Sequence, residues 1–149
     1  MEQPAGDSPR DVAAHLLKFF AAGSTSGIAT SIAHPFMPCG YMEQFDAIIA
    51  AVSDGEFLDA FAAAAERRVG IEVTVGFIPT PPNTRFSLET PVRFLSLARQ
   101  AGCRFTFGTD AHGPATQRRL PELMRLVDAV GIREEDLLPL AAAGYTGGS

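Results

Sequence analysis

Cys103-Arg104-Phe105-Thr106-Phe107-Gly108-Thr109-Asp110-Ala111-His112-Gly113 is the stretch whose reading decides the fold. Its first half is rich in β-favouring residues and gives way at Gly108 to polar and small ones, so a strand is expected over 103–107 with polar groups at its exit. The flanks fix what kind of strand it is. Before it, Phe94, Leu95, Ala98 and Ala101 recur at helical spacing behind Thr90-Pro91, and Gly102 closes that helix. After it, Leu120, Leu123, Met124, Val127 and Val130 mark the buried stripe of a second helix. Arg118, Arg119, Glu122, Arg125 and Asp128 take the other face, and Gly131 ends it. A strand between two helices reads as one unit of a parallel sheet, because parallel neighbours need a long crossover.

Two more units of the same grammar precede it. Ser8-Pro9-Arg10-Asp11 joins an N-cap serine to a proline at the first helical position, so a helix starts there and ends near Ala22-Gly23. The β-branched run 27–33 then closes on His34-Pro35, which places His34 at a strand's C-terminal end. A helix is expected over 43–52, and Ser53-Asp54-Gly55-Glu56 has capping-box spacing ahead of another over 57–69, stopped by Gly70. Ile71-Glu72-Val73-Thr74-Val75 is the second strand, and 77–85, with Pro79, Pro81, Pro82 and Asn83, is a loop. Residues 134–143 read as a short helix and 144–149 as a flexible tail. The expected fold is α/β, a single domain over 1–149, with parallel strands and helices packed outside them.

Composition narrows the function. Across 149 residues, 12 Lys+Arg face 17 Asp+Glu, a net charge of −5, and no basic run exceeds Arg67-Arg68 or Arg118-Arg119. Nucleic-acid binding by phosphate neutralisation is disfavoured. With 46% hydrophobic residues the chain has a core, yet no window approaches the roughly 20 apolar residues of a membrane span, so no membrane is expected as partner. Met-Glu-Gln-Pro-Ala-Gly-Asp has neither the basic nor the apolar segment of a leader, and two cysteines suit a reducing compartment; the cytoplasm is the expected location.

In parallel sheets, ligand groups gather beyond the C-terminal ends of the strands. His34 and His112 both fall there, and Asp110 and His112, two apart in an extended exit, project to one side. A carboxylate and an imidazole that converge suit a divalent ion, to which His34 adds a second nitrogen. The plainer reading makes Asp110 an N-cap and His112 a loop hydrogen-bonder. Glu72, a carboxylate in an apolar strand, faces either solvent or the strand-end pocket. His15 reads as a packed or solvent-facing helix residue, and Cys39 and Cys103 as small buried hydrophobes. Arg85, Arg104 and Arg118 read as solvated arginines, each able to meet a phosphate if it lies near a strand end.

Ser31-Ile32-Ala33-His34-Pro35-Phe36, then Gly70-Ile71-Glu72-Val73, then Phe107-Gly108-Thr109-Asp110-Ala111-His112-Gly113 resembles, in order and spacing, the later motifs of the PHP (polymerase and histidinol phosphatase) family of metal-dependent phosphoesterases. The resemblance spans roughly residues 24 to 131 and only the second half of a family domain. It implies a partial (β/α) barrel of PHP type and the hydrolysis of a phosphate ester by a metal-activated water. The implied metal ligands are His34, Asp110 and His112, holding zinc, manganese or iron, with Glu72 and Thr109 in the pocket. The implied substrate is a small phosphorylated molecule. The family's opening His-x-His strand has no counterpart here. Half a barrel leaves strand edges uncovered, so a homo-oligomer or a completing partner chain is expected. The alternative is a non-catalytic remnant, or a half-barrel binding module that needs a partner.

Overall fold

The computed structural model describes residues 4–80 and 85–139, so the tail 144–149, the end of the expected 134–143 helix and the centre of the proline-rich loop lie outside the described residues. Helix α1 runs Pro9–Thr25, capped by Ser8, whose side chain accepts the Asp11 N–H. After strand β1 (Ser31–Ile32) come α2 (Phe45–Ala50) and α3 (Asp54–Glu66), then β2 (Gly70–Thr74), α4 (Glu89–Gln100), β3 (Phe105–Gly108), α5 (Pro114–Gln117) and α6 (Met124–Val130). The capping box at α3 is formed in full, with Ser53 and Glu56 serving each other's backbone N–H. No helix among the described residues is long and apolar enough to cross a membrane.

Among the described residues the three strands are parallel and lie in sequence order, β1 beside β2 beside β3, with Ser31 opposite Gly70 and Glu72 opposite Thr106. Right-handed crossovers between sequential neighbours put every connecting helix on one face of the sheet. Accordingly α3 packs between α1 and α4, and α6 lies beside α4. The result is mixed α/β with an open sheet, and among the described residues no barrel closes. Beyond α6 a turn at Glu134–Asp136 stands where the longer 134–143 helix was expected. The chain then returns to the outer edge of β3, where Leu137 forms one parallel bridge with Phe105 and the Leu138 N–H donates to the Phe105 carbonyl at 2.8 Å.

Two expectations need correction. The first strand is two residues long rather than seven, because β1 is an edge strand that can pair only where β2 begins. Its N-terminal approach stays in solvent, with Ile28 89% exposed. The helix expected behind 118–130 is broken: Pro121 forces a tight 3₁₀ turn over Leu120–Leu123 before α6 starts. That turn advances the phase of the apolar stripe, so Leu123, Leu126 and Val130 are buried while Leu120 and Met124 stay exposed.

The helix-covered face is a phenylalanine core. Phe94 contacts the rings of Phe36, Phe45, Phe57 and Phe77, and Phe36 reaches Phe20 and Phe61, joining α1, α2, α3 and α4. Ile71, Val73 and Phe105 press against this layer and are fully buried. The opposite face is polar. Ser31 Oγ and Thr106 Oγ1 meet at 3.0 Å across β2, above Gly70, where a Cβ would come within 3.3 Å of the serine hydroxyl.

Candidate functional site at the strand exits

The chain leaves β1 through Ala33 and His34, and Pro35 then bars any continuation as a strand. A residue before proline ordinarily stays extended, yet His34 has φ 31° and Phe36 has φ 63°, both left-handed. Two contacts hold this turn. Phe36 is driven into the core, stacked on Phe20 at 5.0 Å and edge-on to Phe57 at 5.1 Å, and the His34 N–H donates to Glu72 Oε2 at 2.8 Å.

Glu72 is half-buried on the polar side of β2, with Oε2 turned to the exit of β1. Its other oxygen lies directly over Gly108 at the end of β3: a Cβ built there would stand 1.9 Å from Glu72 Oε1. Gly108 is therefore a seat for a carboxylate, and the β2 side chain ties the exits of β1 and β3 together. Thr109 follows, half-buried, and Asp110 is exposed with φ 47°, a third left-handed residue at a strand exit. His112 turns back on this loop, its Nδ1 2.9 Å from the Asp110 carbonyl. A carbonyl only accepts, so Nδ1 is the donor in this bond, and Nε2 is the ring nitrogen it leaves without a partner in the loop.

The left-handed backbone at Asp110 undoes the expectation that residues 110 and 112 project together from an extended exit. His112 reaches the backbone oxygen of Asp110 rather than its carboxylate. Among the described residues, no three His, Cys, Asp or Glu side chains come close enough to hold one metal ion, so His34, Asp110 and His112 do not form a three-ligand centre within this chain. What meets instead is Glu72 with the His34 backbone, and His112 with the Asp110 backbone.

The sequence reading missed one neighbour of His34. His15 lines the same cavity of about 190 Å³ between α1 and the β1 exit, with Leu16, Phe19 and Met37 on its walls. The signal was present: His15, Leu16 and Phe19 sit on one stripe of α1. The cysteines divide. Cys39 is exposed rather than buried, whereas Cys103 is buried beside Phe61, donates to its carbonyl at 3.2 Å, and has its thiol pushed up to about 12 by burial. No family model, curated protein or solved structure matches the chain.

Proposed function

We infer that the chain is one sector of a metal-dependent phosphoesterase of PHP type, a half-barrel whose centre is completed by a second chain. His34, Asp110 and His112 would contribute to holding divalent zinc, manganese or iron, with Glu72 and Thr109 beside them and a small phosphate ester as substrate. The observation that carries this reading is the carboxylate of Glu72, seated on Gly108 and bonded to the His34 N–H, with left-handed backbone at His34 and Asp110 on either side. Strained non-glycine backbone persists only where its surroundings enforce it, and it gathers at functional sites. The need for a partner is supported by Phe107, Leu120 and Met124, large apolar side chains 43%, 46% and 54% exposed after β3 begins.

The donor set does not fit a complete centre, and no hydrolytic step is assigned to the chain alone. That same shortfall favours the second reading, a non-catalytic half-barrel that binds a partner. Elemental analysis and native mass of the purified chain, with p-nitrophenyl phosphate hydrolysis in added Mn²⁺ or Zn²⁺, separate the two. The hydrolase reading expects an oligomer that takes up metal and turns over the ester, both lost in the Asp110→Ala/His112→Ala double variant. Protein that takes up no metal on titration, whatever its mass, leaves only the binding module.

A further inference from the structure

At the opposite end of the sheet, where the strands begin, a cavity of about 870 Å³ opens between the α3–β2 and α4–β3 turns. Its charged lining residues among those described are Arg67, Arg68 and Arg104, with Thr30 and the apolar Val69 and Leu138; none of the described lining residues is acidic. In a chain with 17 acidic residues against 12 basic ones, three cations from two separate turns facing one cavity is a local reversal of charge. Arg10, Arg93, Arg99 and Arg119, by contrast, each hold a carboxylate within 3 Å. Arg68 and Arg104 form no ion pair among the described residues; Arg104 acts only as a more distant charge that helps hold the Asp136 carboxyl low, behind Arg99 and the Arg133 backbone.

The backbone supplies a second, independent sign. Helices α3 and α4 end in the same way: the N–H two residues past the cap returns to the third-last carbonyl, Val69 to Ala64 and Cys103 to Ala98, both at 3.0 Å. This motif needs one left-handed residue, and glycine takes that place at least cost. Helix α4 uses Gly102 at φ 88°, and α6 uses Gly131 at φ 75°. Helix α3 uses Arg68 at φ 57°, the one end of the three where a side chain is kept against the backbone preference. Capping does not explain it, because Arg67 already gives the end of α3 its donor, with Nη1 3.0 Å from the Ala63 carbonyl. The strained arginine is also one of the three that line the cationic cavity.

We propose that this cavity binds a small, multiply charged oxyanion, gripped by Arg68 and Arg104 with Arg67 and Thr30 at its wall. The planar guanidinium matches phosphate and carboxylate oxygens two at a time, and the volume suits a metabolite-sized ligand. An extended polyanion is disfavoured by the net charge of −5. The site stands apart from the strand exits and does not depend on the hydrolase reading.

The test sets stability against binding. Arg68→Gly relieves the backbone and should raise the melting temperature by about 2–4 °C, the shift expected for roughly 1 kcal/mol in a chain of this size. Pyrophosphate and citrate, each compared with NaCl at matched ionic strength, should stabilise the wild type through preferential binding to the folded state. Calorimetric affinity should fall at least about tenfold in Arg68→Gly and in Arg104→Ala, the loss of one charged hydrogen-bonding group. Response to pyrophosphate alone identifies the ligand as a phosphate compound, and response to citrate as a polycarboxylate. The proposal is overturned if neither anion exceeds NaCl, if both variants bind like the wild type, or if Arg68→Gly leaves the melting temperature unchanged.

Discussion

The two faces of the sheet are built by opposite means. On the helix side, Ile71, Val73 and Phe105 meet a layer of phenylalanine rings in many weak contacts, none of which depends on direction. On the other side, Ser31, Glu72 and Thr106 form a few directed bonds, and Gly70 and Gly108 keep clear the space those side chains occupy. The contrast separates two tasks. The first face supplies stability in bulk, where a lost volume is what hurts; the second sets the geometry of the strand exits, where one added carbon is enough to disturb it.

The most damaging way to probe the first face is Phe94→Ala. Phe94 is fully buried and its ring lies 5.3 Å from Phe77 and 6.1 Å from both Phe36 and Phe57. Removing it leaves a cavity among rings held from four directions, so urea denaturation should show a loss of about 3–5 kcal/mol. That is a large part of a typical domain's total stability. A loss below about 1 kcal/mol would mean that the aromatic layer is not where the stability resides.

On the second face the sharper probe is a single methyl group. Gly108→Ala would put a carbon 1.9 Å from Glu72 Oε1, so the carboxylate must leave its seat, and the His34 N–H loses its acceptor or the loop shifts to follow it. About 1–3 kcal/mol of destabilisation is expected, as for other overpacked sites. In a double-mutant cycle with Glu72→Ala, which empties the seat, the two changes should cost less together than their sum by at least about 0.5 kcal/mol. Strict additivity would show that Glu72 does not rest on Gly108.

These contrasts also mark what the sequence disclosed. The parallel units, the caps at Ser8 and Ser53 and the placing of His34 beyond a strand were readable, because each depends on neighbours a few residues away. Glu72 was narrowed only to solvent or pocket, since its seat belongs to Gly108, 36 positions further on, and is set by the β2–β3 register. The stripe on 118–130 misled because Pro121 changes the pitch partway along it. The pairing of Asp110 with His112 assumed extended backbone, and the left-handed φ of Asp110 carries no local sequence mark apart from the tolerance of Asp for that region. The cavity shared by His15 and His34 needed α1 and the β1 exit to be packed together first.

The gentlest probe compares two carboxylates. Glu72 is met by one backbone N–H, whereas Glu56 on the helix side takes the Arg10 guanidinium at 2.6 Å together with the Ser53 backbone and hydroxyl. The Arg10 hydrogen bond first, and then those from Ser53, hold the Glu56 carboxyl at about 2 instead of its ordinary 4.5. Because the folded state lowers this value, the pair's contribution is fully present above about pH 4.5 and fades as the pH falls toward 2. Glu56→Gln keeps an acceptor for the capping box and removes only the charge. The gap in melting temperature between wild type and variant should therefore be small, constant above pH 5, narrower at each step down to pH 2, and reduced by 1 M salt, since the pair is exposed to solvent. A gap that keeps its width down to pH 2 would assign the effect of Glu56 to packing rather than charge, and would leave the helix side as apolar in its energetics as it is in its composition.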